Sequence, residues 1–325
     1  MAKVRKAVIT AAGRGTRQYP ASSAVQKEMF PLVDADGLAK PIIQIIGEEA
    51  IAAGVEEICI VTQPGEEVQY REYFKEMSEG TLTAFAGKDW AIEAGRKLAA
   101  FGKRLHFVSQ DSPEGSGHAV YQAKDFVGDE PFLLMLGDHI YISADVGGRN
   151  CAAQLIDAYE AAGMEAMSAV QMTPASQLHL FGTLKGRPLD DHNGVYEVQV
   201  LYEKPTPQYA AQHLRTAGLP AGQYLCHFGM NVFPPAIFDA IGYHIDRNIR
   251  EKGEIQLTNA QDYLKQNLVT RYGACTIDGK RYDTGIPYGL MESQIALALA
   301  GRHRSEIIEA IARLLAEQLR PVAER

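Results

Sequence analysis

Cysteine is scarce: Cys59, Cys151, Cys226 and Cys275 are the only four in 325 residues, widely separated and without a CxxC pair. That spacing supports neither a disulfide framework nor a zinc site, and it fits a reducing cytoplasm. Long apolar runs are missing as well. No segment approaches the roughly 18 apolar residues of a membrane span, and the apolar run in the opening MAKVRKAVITAAG is too short for a secretory leader and is followed by no cleavage site. The expectation is a soluble, cytoplasmic protein. Positive charge is in deficit, with 32 Lys and Arg against 40 Asp and Glu and a net charge of −8. A surface of that sign disfavours nucleic acid and anionic membranes as partners, so a polyanionic ligand has to be held by local charge. Aromatic content is modest, and the single tryptophan, Trp90, is expected to anchor the core. Internal repeats, low-complexity segments and linkers are also missing.

What is present is 46% hydrophobic residues, ample for a buried core, arranged as alternating strand-period and helix-period segments. That alternation predicts an α/β chain with a parallel or mixed sheet and helices on both faces. Strands are expected at 6–12, 58–62, 105–110, 132–136, 165–173 and 224–233. Pro41 opens a helix that Gly54 ends, a second helix runs over about 150–162 to Gly163, and 66–104 reads as mostly helical. Residues 181–204 read as a hairpin turned at Asn193-Gly194, and 205–223 as a surface excursion. Thr258 with Gln261 suggests a capping box for a helix through Lys265, and Asp278-Gly279 a hairpin ending at Asp283. From Pro287 onward the chain reads as helix, with Ile307, Ile308, Ile311, Leu314, Leu315 and Leu319 in one stripe and Glu309 paired with Arg313 outside it. The stripe suits packing on its own domain or contact in a homo-oligomer. We read a single domain over 1–325, divided into 1–150, a second wall over 151–285, and C-terminal helices over 286–325.

The most informative stretch is AVITAAGRGTRQYPASSAVQKEMFP, residues 7–31. A buried strand runs into Gly13, Gly15 and Thr16, whose small side chains let backbone N–H groups approach an anion closely. Arg17 and Lys27 follow on the same loop. Two commoner glycine loops do not fit. A Walker loop ends in Gly-Lys-Ser/Thr, whereas Gly15 precedes Thr16 and Arg17, and the dinucleotide fingerprint needs a third glycine where Gln18 stands, with Pro20 interrupting any helix. Backbone donors with two mobile cations suit a triphosphate whose leaving group gains charge.

Further along, FLLMLGD brings Asp138 to the end of a buried strand, where open α/β sheets hold ligands. Asp283, in YDTG, ends another apparent strand, and two such carboxylates would hold Mg²⁺ through hard oxygen ligands; either aspartate alone could equally be a turn or a helix cap. Gln110, five residues before Gly115, offers an amide complementary to the imide edge of uracil or thymine, although QDSPEGSG alone reads as a polar loop before a helix near Gly117, with His118 a helix-start residue. Glu203-Lys204 could grip a sugar hydroxyl and a sugar phosphate, or be an exposed ion pair of little energetic weight.

Together, AAGRGTR, KEMFPLVD, IAAGVEEICIVT, Gln110 with GSGHAV, VGDEP, FGTL, YEKP, GEIQLTNA and YDTG occur in the order found in the bacterial UTP:glucose-1-phosphate uridylyltransferases, and the chain resembles that group of the sugar-1-phosphate nucleotidyltransferase superfamily from about 7 to 299. The resemblance implies a three-layer α/β/α Rossmann-like fold with a mixed, mostly parallel central sheet, with 1–150 mainly binding nucleotide and 151–285 mainly binding sugar phosphate. It implies that Ala11, Ala12, Gly13, Gly15 and Thr16 hold the nucleotide, that Arg17 and Lys27 face the triphosphate, and that Gln110 and Gly115 contact the base. It further implies that Asp138 and Asp283 hold Mg²⁺, and that Gly182, Glu203 and Lys204 contact the sugar phosphate. The chain departs from the pattern at Ser23, where Lys is usual, at Gln26, where Pro is usual, at Met230 and Asn231, where Arg and Tyr are common, and in longer loops after Asp34 and Pro205.

The expected reaction is Mg²⁺-dependent transfer of a uridylyl group from UTP to glucose 1-phosphate, with Arg17, Lys27 and Lys204 as the catalytic cations. A thymidylyltransferase, a uridylyltransferase for another sugar 1-phosphate, and a non-catalytic nucleotide-sugar sensor are the alternatives. The retained carboxylates and cations disfavour the sensor, which needs neither.

Overall fold

The computed structural model describes residues 2–145 and 147–318. In chain order the strands are β1 (Lys6–Thr10), β2 (Pro31–Val33), β3 (Ala39–Pro41), β4 (Glu57–Thr62), β5 (Leu105–Ser109), β6 (Phe132–Leu136) and β7 (His139–Ser143). They continue as β8 (Ala166–Pro174), β9 (Thr183–Leu189), β10 (His192–Tyr202), β11 (Gln223–Phe233), β12 (Tyr272–Thr276) and β13 (Gly279–Asp283). One nine-stranded sheet has the order β5-β4-β1-β6-β11-β8-β12-β10-β9. Within it β5, β4, β1, β6, β8, β12 and β9 run one way, and β11 and β10 the other. The sheet is therefore mixed and mostly parallel, as expected. β11 also pairs with β9, which curls the strands from β11 to β9 into a ring.

Alternation along β1 shows why there are three layers. Ala7 and Ile9 pack into one apolar cluster with Ile42, Ile46 and Leu155, while Val8 points the other way into a cluster with Val120, Phe238 and Leu264. A strand covered by helices on both faces is continuously apolar, which is how Lys6–Thr10 and Phe132–Leu136 read. Two short ribbons lie outside the main sheet, β2 with β3 and β7 with β13. Among the described residues no helix is long and apolar enough to cross a membrane.

Several expectations are corrected. Trp90 is 63% exposed and anchors no core; Tyr70, Phe74 and Phe101 fill that side instead. The β9–β10 hairpin turns at Asp190-Asp191, and Asn193-Gly194 lies inside β10, where the register slips and Gly194 takes φ +75°. A residue pair suited to a tight turn has been used for a bulge, which likewise needs positive φ. Asp278-Gly279 closes no hairpin either, since β12 lies in the main sheet and β13 pairs with β7. The stretch after Pro205 contains a helix, Pro207–His213, capped by Thr206. Thr258 is no helix cap: the helix is Leu257–Asn267, preceded by Gln256, and the Thr258 hydroxyl bonds to Glu203 instead. The C-terminal helix Arg304–Gln318 half-buries Ile307 and Ile311 but leaves Ile308, Leu314 and Leu315 exposed, so its stripe is only partly packed on the rest of the chain; Leu319 lies outside the described residues. The Glu309–Arg313 pair is present at 3.0 Å.

Helix Ile42–Ala52 packs beside helix Cys151–Ala162, whose N-cap is Asn150. Glu49 Oε1 accepts the Ala152 N–H at 2.9 Å, and Asn150 Nδ2 donates to the Glu49 carbonyl at 2.8 Å. Burial pushes the Glu49 carboxyl up to about 7, although N–H groups of Ala152 and Cys151 pull the other way. A carboxyl raised on folding adds stability that is complete below its unfolded value and lost as pH rises through about 7. Glu49→Gln keeps the acceptor and removes the ionisation. Its stability relative to the parent should improve by about 1–2 kcal/mol between pH 6 and pH 9. Thermal melts of both proteins across that range test this, and a constant difference would refute it.

Candidate active site

The site is assembled where parallel strands end together. β1 and β6 are neighbours with Thr10 opposite Leu136, so the glycine loop after β1 and the Gly137-Asp138 turn after β6 emerge side by side. Gly137 N donates to the Thr10 carbonyl at 2.9 Å, and a Cβ there would lie 2.6 Å from that oxygen. Only glycine permits this approach. Gly15 takes φ +60° and begins a short 3-10 turn, Thr16–Gln18. The Gln18 amide donates to the Thr284 carbonyl, tying the loop to the end of β13.

Lys27 is the electrostatic centre. Its Nζ lies 2.5 Å from Asp138 Oδ2 and 3.5 Å from Glu28 Oε1. Burial opposes the ammonium, but Asp138 and Glu28 outweigh it and raise the Lys27 pKa. Burial pushes the Glu28 carboxyl up to about 8 against the pull of Lys27. Burial also works against the Asp138 carboxylate, yet His139 and Lys27 overcome it and hold Asp138 well below the usual carboxylate range. The His139 Nδ1–H donates to Asp138 Oδ1 at 2.8 Å.

The β7–β13 ribbon brings the second carboxylate in. Asp283 pairs with His139 across it, and Thr284 donates to the Asp138 carbonyl through its N–H at 2.8 Å and its hydroxyl at 2.9 Å. Donor atoms of Asp138, His139 and Asp283 all lie within 4.8 Å of one another. The adjacent Gly285 leaves a gap that a Cβ would fill, at 2.8 Å from Asp138 Oδ2, 3.1 Å from Asp283 Oδ1 and 3.3 Å from Arg17 Nη2. Two carboxylates converging on space kept open by a glycine fit a hard divalent cation.

On the base side Gln110 is buried, and its Nε2 donates to the Gly115 carbonyl at 3.2 Å and lies 3.0 Å from His118 Nδ1. Gly115 has φ +115°, and a Cβ would strike the Ile255 carbonyl at 2.7 Å. The 254–258 segment thus forms the floor under the GSG turn, with Ile255 N donating to the Glu114 carbonyl and Gly117 N to the Ile255 carbonyl. On the sugar side a Cβ at Gly182 would lie 2.8 Å from His227 and 3.0 Å from Glu203. Glu203 Oε2 accepts the Thr258 hydroxyl at 2.7 Å, and Lys204 Nζ lies 3.4 Å from Glu203 Oε1. Lys204 takes φ +46°, a backbone that costs a side-chain-bearing residue about 1–2 kcal/mol. Such strain aims a side chain where an ordinary strand end would not. Burial pushes the His227 imidazole down to about 4 although Glu203 pulls it up, so it is neutral at pH 7.

These groups line one cleft of about 790 Å³, a volume suited to a nucleotide with a sugar attached. Of the residues expected from sequence, Ala12, Gly13, Arg17, Lys27, Gln110, Gly115, Asp138, Gly182, Glu203, Lys204 and Asp283 line it. Ala11 is buried below the loop and Gly15 faces Ser22, so these two shape the loop, while Thr16 opens the 3-10 turn. Sequence reasoning missed Glu28, His139, His227 and Arg281. GEIQLTNA was noted without a role, and it supplies Glu254, Gln256, Leu257 and Thr258 to the wall, with Gln261 just after it. Two departures are explained by position. Met230 is fully buried in the apolar core and cannot touch a sugar, and Asn231 accepts from Ser168 at 2.7 Å and Gln261 at 3.1 Å. Ser23 is exposed and bonds the Pro20 carbonyl, and Gln26 is buried with both amide atoms unpartnered.

Residues 6–298 match the model of the nucleotidyl transferase family. The chain is 36% identical over 301 residues to the UTP–glucose-1-phosphate uridylyltransferase of Bacillus subtilis strain 168, covering 92% of each chain. It is also 36% identical over 309 residues to the enzyme of that name from Streptococcus pneumoniae serotype 4, covering 91% of each. Among solved structures it resembles a UTP-bound UDP-glucose pyrophosphorylase from Acinetobacter baumannii, with 25% identity and a TM-score of 0.76 over 96% of this chain and 99% of that one. It also resembles a UDP-glucose pyrophosphorylase complexed with UDP-glucose, with 28% identity and a TM-score of 0.70 over 90% of this chain and 98% of that one. With a site built from the same ordered motifs and matches that run nearly its whole length, the chain belongs to the nucleotidyl transferase family.

Proposed function

We propose that the protein transfers a uridylyl group from UTP to glucose 1-phosphate, giving UDP-glucose and pyrophosphate. The observation that carries this reading is the gathering of three sets of groups in one cleft: the Gln110–Gly115 turn, Arg17 and Lys27 beside two carboxylates, and Gly182, Glu203 and Lys204. Those sets suit base, phosphates and sugar, and relatives of this chain carry the name of this activity.

A phosphate oxygen of glucose 1-phosphate attacks the α-phosphorus of UTP, the bond to the β-phosphate breaks, and pyrophosphate leaves. The second pKa of a phosphate monoester is about 6, so the nucleophile is largely ionised at neutral pH and needs no general base. The chain's task is alignment and charge. Lys27 and Arg17 stabilise the charge that grows on the leaving oxygens. Lys204 holds the attacking phosphate, and Glu203, oriented by Thr258, accepts hydrogen bonds from sugar hydroxyls. Gln110 and the Gly115 backbone hold the uracil edge. Asp138 and Asp283 would hold Mg²⁺, which when bound supplies Lewis-acid neutralisation of phosphate charge. The nucleotide is held mainly by 1–150 and the sugar phosphate mainly by 151–285, with the protein working in the cytoplasm.

Pyrophosphate release with UTP, dTTP, ATP, GTP and CTP, each crossed with glucose, galactose and N-acetylglucosamine 1-phosphates, tests the assignment. The expected result is release that depends on both substrates and is greatest for UTP with glucose 1-phosphate. Another preferred pair would move the specificity, and silence across the grid by a folded, nucleotide-binding protein would overturn the reading.

A further inference from the structure

Two polar groups in the sugar half of the cleft are buried and have nothing to bond to. One is His227 Nε2 and the other is Arg281 Nη2. Both residues line the cleft. The guanidinium is the more telling of the two, because it belongs to the less dispensable class of buried group. An unpartnered buried imidazole nitrogen costs a lost hydrogen bond, whereas Arg281, half-buried in the cleft wall, carries a full charge without a carboxylate partner and has one arm, Nη2, closed off from water. Among the described residues no carboxylate forms an ion pair with Arg281 and no acceptor bonds it. It lies over the Phe181 ring, whose centroid is 4.0 Å from Cζ. Burial pulls the guanidinium below its ordinary pKa, and it remains charged at any physiological pH.

Its place in the fold says which part of a ligand it meets. Arg281 and Asp283 are two apart on β13, so their side chains share a face about 7 Å apart. Asp283 marks the phosphate end. Arg281 lies one step further from it, held by Phe181, the residue before Gly182, and Gly182 in turn touches His227, Glu203 and Thr258.

We propose that Arg281 is a specificity residue that donates hydrogen bonds to an oxygen of the hexose ring system, with Phe181 holding its fork in place. The inference rests on the sugar-phosphate reading of the cleft. It divides the sugar half in two: Lys204 takes the phosphate, and Arg281 with Glu203 takes the hydroxyls as donor and acceptor respectively.

Calorimetric titration of UDP and UDP-glucose into the parent, Arg281→Met and Arg281→Lys tests it. Arg281→Met should weaken UDP-glucose by about 10- to 100-fold, the loss of a charge-assisted hydrogen bond, and leave UDP within about two-fold. Arg281→Lys keeps the charge but not the planar fork and should fall between. The melting temperature of Arg281→Met should be unchanged or higher, because no intramolecular hydrogen bond is lost. In steady-state assays one deoxyglucose 1-phosphate should lose kcat/KM against glucose 1-phosphate in the parent, and that penalty should vanish in Arg281→Met. Equal weakening of UDP and UDP-glucose would move Arg281 to the nucleotide and overturn the proposal. A fall in melting temperature with both affinities intact would make it a structural cation and also overturn it. A parent that gains no affinity from the glucosyl group would defeat the sugar-phosphate reading itself, whatever Arg281 does.

Discussion

Lys27→Ala should lower kcat by about 10²- to 10³-fold, with the KM for glucose 1-phosphate changed far less. Lys27 sits between Asp138 and Glu28 at the mouth of the glycine loop, where Gly13 lies against it: a Cβ on Gly13 would be 3.5 Å from Nζ. A cation so placed meets the phosphates whose charge grows in the transition state, which is why the effect falls on kcat. The fold should tolerate the change. Burial raises the Glu28 pKa and Lys27 is the main group opposing that rise, so removing Lys27 favours protonated Glu28 and leaves Asp138 as the buried anion, with its bond from His139 retained. Lys27→Arg should not rescue activity, because the planar guanidinium does not fit a point-charge site flanked by Gly13 and Glu28. Single-turnover rates with saturating UTP separate the chemical step from binding, and a near-normal rate in Lys27→Ala would remove it from the mechanism.

Asp138→Asn is the second large effect, with activity expected to fall by on the order of 10³-fold and divalent-cation affinity to fall with it. Asp138 is the point where the two halves of the site meet. Its carboxylate engages Lys27 and His139, and its carbonyl accepts twice from Thr284. The amide is nearly isosteric, so the carbonyl contacts persist while the charge is lost. Lys27 then loses its nearest ionised partner, and a drop in melting temperature should accompany the loss of activity. Direct titration with Mn²⁺, followed by its electron paramagnetic resonance, reads metal binding without turnover. Unchanged Mn²⁺ affinity in Asp138→Asn would show that Asp138 is no metal ligand.

Legibility differed sharply between elements. β1, β4 and β6 could be read directly because strands buried on both faces are almost wholly apolar, and helix Cys151–Ala162 could be read because its cap residues, Asn150 and Gly163, have the local conformations those residue types favour. β7 could not: His139–Ser143 follows a strand and a two-residue turn, and nothing local says that it leaves the main sheet to pair with β13. Asn193-Gly194 misled because positive φ serves a bulge as well as a turn. Trp90 misled because size favours burial only where a partner surface exists, and helix Asp89–Gly102 turns that position to solvent. Glu28, His227 and Arg281 are ordinary residue types whose importance comes from burial, which a linear sequence does not display.

By itself the sequence determined the α/β class, the phosphate-binding loop, both carboxylates and the family resemblance, because each rests on short-range patterns: the two-residue period of a strand, the conformational freedom of glycine, and ordered motifs. The tertiary structure alone decided how these become a site. Parallel pairing of β1 with β6 sets Asp138 beside the glycine loop, the β7–β13 ribbon carries Asp283 across to it, and the 254–258 segment rises under Gly115 to close the base side. Those contacts join residues more than a hundred positions apart. The raised pKa of Glu28, the neutrality of His227 and the unpaired cation of Arg281 arise from the same packing, since desolvation and distance act through space.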